Sequence, residues 1–188
     1  GLGRLDIPKV TSMYASLFGD VSYVVLGGAY PYKSLPGVLG AGFVSAGVSD
    51  IPLYGPGGGS LGAGNYGNSV MFVSYGVDAY KIKENLLFLG DYREYLKGLQ
   101  VGGSLKYFSQ GGSGTGVDEG SGSGIDIDLG LLYTPPQYKF VSGGLNLQNI
   151  LPKSLGGKIV FKNGIEEGIP SAAKFGLKVD LLGKDSLI

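Results

Sequence analysis

The chain alternates between apolar and polar positions. From Leu99 to Phe108 one face reads Leu99, Val101, Gly103, Leu105, Tyr107, and the other reads Gln100, Gly102, Ser104, Lys106, Phe108. A period of two marks a strand whose two sides meet different surroundings. The pattern returns three times. Ile125, Ile127, Leu129 and Leu131 oppose Asp126, Asp128, Gly130 and Leu132; Val141, Gly143, Leu145 and Leu147 oppose Ser142, Gly144, Asn146 and Gln148; Ala173, Phe175, Leu177, Val179 and Leu181 oppose Lys174, Gly176, Lys178 and Asp180. Alternation is weaker in the first half, which is still rich in Val and Tyr. Eight strands are predicted, over 10–17, 21–31, 38–48, 69–77, 99–108, 125–133, 140–149 and 172–181. Weak alternation fits strands covered on both faces, for instance by a plug inside a barrel.

The joins carry a second pattern. Those at 32–37 and 134–139 are short and contain Pro36-Gly37 and Pro135-Pro136, whereas 49–68, 109–124 and 150–169 are long. Short turns alternating with long loops is the habit of outer-membrane barrels. Two joins depart from it: 18–20 is short on the long side, and 78–98 is long on the short side, with 81–87 expected as a short helix. A spanning helix would need about 20 apolar residues in a row. The longest charge-free run, 51–77, is broken by Pro52, Pro56, Gly57-Gly58-Gly59, Asn65 and Asn68. A membrane reading must therefore be a β-barrel, the other architecture that satisfies every backbone polar group in lipid. Tyr30, Tyr32, Tyr75, Tyr80, Tyr107, Tyr133 and Tyr138 cluster near strand ends, where barrels carry aromatic girdles.

Composition narrows the class. Glycine supplies 37 of 188 residues, and charged residues make up 16% where soluble domains have about 25%. Lys and Arg number 15, balanced by 15 Asp and Glu, so no basic stripe is expected to meet nucleic acid. Cys and His are absent, which removes disulfides, thiol chemistry, Ser-His-Asp triads and histidine-ligated metals. Low charge with abundant Gly and Tyr suits a β-protein whose outer face does not meet water. Gly102, Gly130, Gly144 and Gly176 fall on the polar face of their strands. There they either relieve bending or make room for large neighbours, a plug or a ligand.

Candidate chemistry is sparse. Gly62-Ala63-Gly64-Asn65-Tyr66-Gly67 matches a dinucleotide fingerprint, but that site needs a strand before it and a helix after it. Gly111 to Gly116 is similar to one calcium β-roll repeat, with Gly where Asp is required; Asp118 and Glu119 nearby would hold a cation only loosely. Gly156-Gly157-Lys158 lacks the other residues of a phosphate loop. Asp126 and Asp128 share one strand face about 7 Å apart. Such a pair can do acid–base work, or lie solvated or paired with Lys106 or Lys174 across a polar interior, which is the preferred reading. No catalytic residue, metal or cofactor is expected. The candidates for an inward, lumen-facing set are Lys106, Asp126, Asp128, Asn146, Gln148, Lys174 and Lys178.

Several of these segments resemble the PorV branch of the FadL-like outer-membrane β-barrel superfamily. They are Gly102-Gly103-Ser104-Leu105-Lys106-Tyr107, the run Gly124-Ile125-Asp126-Ile127-Asp128-Leu129-Gly130-Leu131-Leu132-Tyr133 followed by Pro135, Ser142-Gly143-Gly144-Leu145-Asn146-Leu147-Gln148-Asn149, and Ile169-Pro170-Ser171-Ala172-Ala173-Lys174-Phe175-Gly176-Leu177. Gly1-Leu2-Gly3 is similar to the segment after an Asn-Pro-Ala motif in that group, a motif absent here. The resemblance implies an antiparallel transmembrane β-barrel of fourteen strands with an N-terminal plug. This chain would be a single outer-membrane domain over 1–188, incomplete at both ends. It implies no catalytic residues. The expected role is passive transport of hydrophobic compounds across the outer membrane of a Gram-negative-type cell. Two alternatives stand beside it: a docking partner in protein secretion or surface attachment, and a soluble β-sandwich for structure or adhesion. The partners expected are the lipid bilayer and a hydrophobic small molecule or a secreted protein.

Overall fold

The structure, a computed structural model, describes residues 2–17, 20–32, 34, 36–82, 96–114 and 120–181. It is all-β, an antiparallel sheet curled into a half-barrel. The strands are β1 (Lys9–Leu17), β2 (Val21–Pro31), β3 (Gly37–Tyr54), β4 (Ser60–Asp78), β5 (Leu99–Ser113), β6 (Gly122–Tyr133), β7 (Val141–Gln148), β8 (Lys158–Phe161), β9 (Glu166–Gly168) and β10 (Ala172–Val179). The wall is an up-and-down meander in the order β1-β2-β3-β4-β5-β6-β7-β10, with the β8–β9 hairpin branching from β6.

All eight expected strands are present, and β2 has the expected bounds. Three features differ. The expected loop 49–68 is mostly ladder: β3 and β4 pair past a bulge between Val48 and Ile51 as far as Tyr54 and Ser60. Asp50 at φ 57° and Gly62 at φ 98° absorb the irregularity. In the same way β5 and β6 run on to pair Gln110 with Gly122. Glycine and serine runs have no side-chain period to betray a strand, yet their backbones still pair. Finally, β8 and β9 lie inside the expected loop 150–169 and are too short to alternate visibly. Lys81 ends a 3-10 turn (Ala79–Lys81), and the rest of the expected helix, 83–87, lies outside the described residues.

Directly paired residues of an antiparallel ladder share a face, so the registers carry one face assignment from β1 to β10. One row joins Lys9, Ala29, Gly40, Ser74, Ser104 and Asp128; the next joins Thr11, Gly27, Gly42, Phe72, Lys106 and Asp126. Below the bulge at Val48, every charged or carboxamide side chain of β1–β7 and β10 lies on this face. The opposite face holds only apolar residues, Tyr, Gly and Ser. Its central row joins Leu26, Phe43, Met71, Tyr107 and Ile125; the row above joins Tyr14, Val24, Ser45, Ser69, Ser109 and Ser123. The polar face is the half-buried, inner one. The apolar face is exposed, with Val10 at 87% and Phe175 at 80%. Only Val38, Val77 and Ala79 are buried apolar residues among those described, so the sheet encloses no conventional core.

The inner face carries an N-terminal 3-10 turn, Leu2–Arg4. It sits against Gly76, where a Cβ would lie 2.9 Å from Leu2 Cβ and 3.0 Å from the Gly3 nitrogen. The Arg4 guanidinium donates to Thr134 Oγ1, whose hydroxyl also shares a 2.8 Å bond with Ser142 Oγ. Gly76→Val is expected to expel the turn at a cost of about 1–3 kcal/mol from overpacking. Trypsin should then cut after Arg4 markedly faster than in the unaltered chain or in Gly176→Ala, where a Cβ meets nothing within 4 Å.

Candidate functional site

The sequence candidates do not form one group. Lys106, Asp126 and Asp128 meet at the centre of the β5–β6 hairpin, where Lys106 pairs with Asp126 and Ser104 with Asp128. The Lys106 ammonium lies 2.6 Å from Asp128 Oδ1, donates to Asn149 Oδ1, and stands 5.3 Å from the Phe108 ring centroid. Asn146 and Lys174 face each other across β7 and β10. Gln148 pairs with Ala172 at the end of the same ladder. Lys178 makes an exposed 2.9 Å ion pair with Asp180. Lys174 and Lys178 are exposed because β10 is the last strand of the meander.

The carboxylates owe their roles to a gap in the ladder. β6 pairs with β7 over Leu129–Tyr133 and with β8 over Gly122–Gly124. Between those stretches no strand of the described residues flanks it on that side; the segment 149–157 passes there instead. Asn149, at φ 54°, turns the chain out of β7. Its N–H donates to Asp128 Oδ1 at 2.9 Å, and its Nδ2 donates to the Pro170 carbonyl at 2.8 Å. The Leu151 N–H donates to Asp126 Oδ1 at 3.0 Å, the Ile127 N–H to the same oxygen at 2.7 Å, and the Ile150 N–H to the Ile127 carbonyl at 3.1 Å. Donors that a regular ladder would have paired are taken by side-chain carboxylates, as buried N–H groups require. Asp126 ends fully buried, and its Oδ2 has no partner. In this arrangement the two aspartates serve as anchors for the crossing segment. Asp126 is closed off from any space a substrate would share with both carboxyls.

The remaining motifs are absorbed by strands. Gly62 to Gly67 lies within β4, so no helix N-terminus follows it to meet a pyrophosphate. Gly111 to Ser113 belongs to β5, while 115–119 lies outside the described residues. Lys158 of the Gly156-Gly157-Lys158 run opens β8. Among the described residues no group of three or more His, Cys, Asp or Glu gathers to hold a metal.

Sequence reasoning missed Asn149 and Gln100. An Asn at a strand end is a signal for a left-handed residue, but its double bonding depends on the ladder gap. Gln100 stands on the polar face in the alternation; its burial, 7% exposed, comes from the tertiary structure.

No family model, curated protein or solved structure matches the chain.

Removing the ammonium leaves a half-buried carboxylate without its cation. Lys106→Met is therefore expected to cost about 2–3 kcal/mol, below the range for a fully buried pair. Amide hydrogen exchange at Asn149 and Leu151 should speed up with it, while exchange in β2 stays unchanged.

Proposed function

We propose that this chain forms wall of an outer-membrane β-barrel through which hydrophobic compounds diffuse passively, in the manner of the FadL-like proteins it resembles. The observation that carries this reading is the complete sorting of charge. Below the bulge the outer face has no charged or carboxamide residue, while the inner face holds Lys9, Asn68, Gln100, Lys106, Asp126, Asp128, Asn146 and Lys174 among others. Water would not impose this sorting; soluble surfaces carry mixed charge. Hydrocarbon would, because a charge facing lipid is expensive.

A second argument is geometric. The centre of the outer apolar band slides along the ladder from strand to strand. Carried into the numbering of β5, it lies near 107 for β1, 105 for β3, 103 for β5 and β6, and 100 for β7 and β10. That drift is about one residue per strand; with a rise of ~3.3 Å and a strand spacing of ~4.8 Å it corresponds to a tilt of about 35°. Membrane barrels tilt their strands by roughly 35–45°. A level band crossing tilted strands therefore accounts for the slant. A sandwich would instead cover its apolar face with a second sheet, and the described residues form one sheet. Eight wall strands make half a turn, which suits the fourteen-stranded closure implied by the resemblance. Further strands would then cover the open edges of β1 and β10, since bare edges are not tolerated in lipid.

The docking reading is favoured by one feature. The β3–β4 hairpin projects past its bulge as an arm with Tyr54 67% exposed and Leu61 46% exposed.

Leu129→Arg and Leu145→Arg are each expected to cost about 2–4 kcal/mol at mid-bilayer and to reduce the heat-modifiable folded band on gels, whereas Gln148→Arg on the inner face should not. Wild-type levels of folded band for both leucine variants would overturn the membrane reading. Removing residues 50–64 shortens the arm and leaves the wall. Uptake that survives while partner binding is lost favours docking, and the reverse favours transport.

A further inference from the structure

The lower half of the inner face holds a hollow of about 390 Å³. Its floor is backbone, because Gly102, Gly130, Gly144 and Gly176 present no side chain to it. Leu2 closes it on one side, Leu132 adds an apolar wall, and Asn146 and Lys174 stand at its polar edge. The floor is open toward β7 and β10: a Cβ at Gly176 meets nothing within 4 Å, and one at Gly144 comes no closer than 3.5 Å to any atom, whereas one at Gly102 would lie 3.0 Å from the Tyr75 carbonyl oxygen. Further along the same face, Gly76 is already occupied by Leu2 and Gly3. An extended apolar body can therefore lie on this floor in van der Waals contact.

A small-residue floor alone has no chemistry. The polar group beside it does. Gln100 lines the hollow, is 7% exposed, and its Oε1 has no hydrogen-bond partner. A buried acceptor left unpaired bears the full desolvation penalty of that group. The terminal torsion of a glutamine is broad, so the carbonyl can turn toward a donor entering the hollow. A head that brings only acceptors leaves that oxygen unpaired.

We propose that this hollow binds an amphiphile whose head donates a hydroxyl or amide hydrogen to Gln100 Oε1 while its apolar chain lies along the glycine floor. The site rests on the reading of the inner face as a passage for hydrophobic compounds and adds to it a preference in head-group chemistry.

The test uses the full chain in lipid nanodiscs, with empty nanodiscs subtracted, and N-phenyl-1-naphthylamine as the fluorescent probe. Monolaurin and methyl laurate carry the same acyl chain and differ in the hydroxyl donors of the head. Monolaurin should displace the probe at about ten-fold lower concentration, the difference one hydrogen bond supplies. Gln100→Leu should remove that preference and leave displacement by methyl laurate unchanged. Gly144→Leu, which fills the floor, should abolish displacement by both. Equal displacement by the two esters in the unaltered chain, a preference that survives Gln100→Leu, or undiminished displacement in Gly144→Leu would each overturn the site. Heat-modifiable migration is read on the same samples. An inserted chain without the preference overturns the site alone, and a chain that fails to insert overturns the passage reading together with the site.

Discussion

The two-residue period of the ladder governs everything else in this structure. Side chains alternate strictly across a strand, and paired residues share a face, so a slip of one residue in any strand would exchange its two faces completely. At β5 such a slip would put Leu105 and Tyr107 inside and Lys106 outside. The registers from β1 to β10 agree on a single sorting of charge. The burial of apolar surface that normally holds a domain together is nearly absent among the described residues. Cohesion here is carried by backbone pairing and by a few polar clusters on the inner face.

The largest of those clusters stands where the backbone pairing fails. Between its partners β7 and β8, β6 runs alongside a crossing segment instead of a strand. Asp126 and Asp128 replace the missing acceptors, and Lys106 forms an ion pair with Asp128. The side chains that look most like catalytic equipment are thus explained by an accounting of N–H groups. The Ser74–Ser104 bond, 2.7 Å long, ties β4 to β5 on the same inner face as Asp128.

Much of the wall was legible in the sequence because β-branched, aromatic and leucine residues alternate with polar ones over β5, β6, β7 and β10. The same rule failed for the upper parts of β3 and β4, where Ser60 to Gly64 carries a single large side chain, Leu61, and the alternation has little to act on. It failed for β8 and β9 through brevity. For the site, sequence placed Lys106, Asp126 and Asp128 on shared strand faces. It did not reveal that Asp126 is sealed or that Asn149 completes the group, since both follow from the gap beside β6. Gln100 was visible as one more polar position, and only the packing around it sets it apart.

The row of Ser45, Ser69, Ser109 and Ser123 has a mechanical consequence in the proposed setting. The four hydroxyls bound the apolar band on four neighbouring strands, their row climbing with the tilt of the ladder. Sinking the wall would drag them one after another toward hydrocarbon, while lifting it would strip Leu26, Met71 and Ile125 of their oily cover. Either displacement is opposed along four neighbouring strands, so the protein's depth would be held stiffly even though each contact is weak.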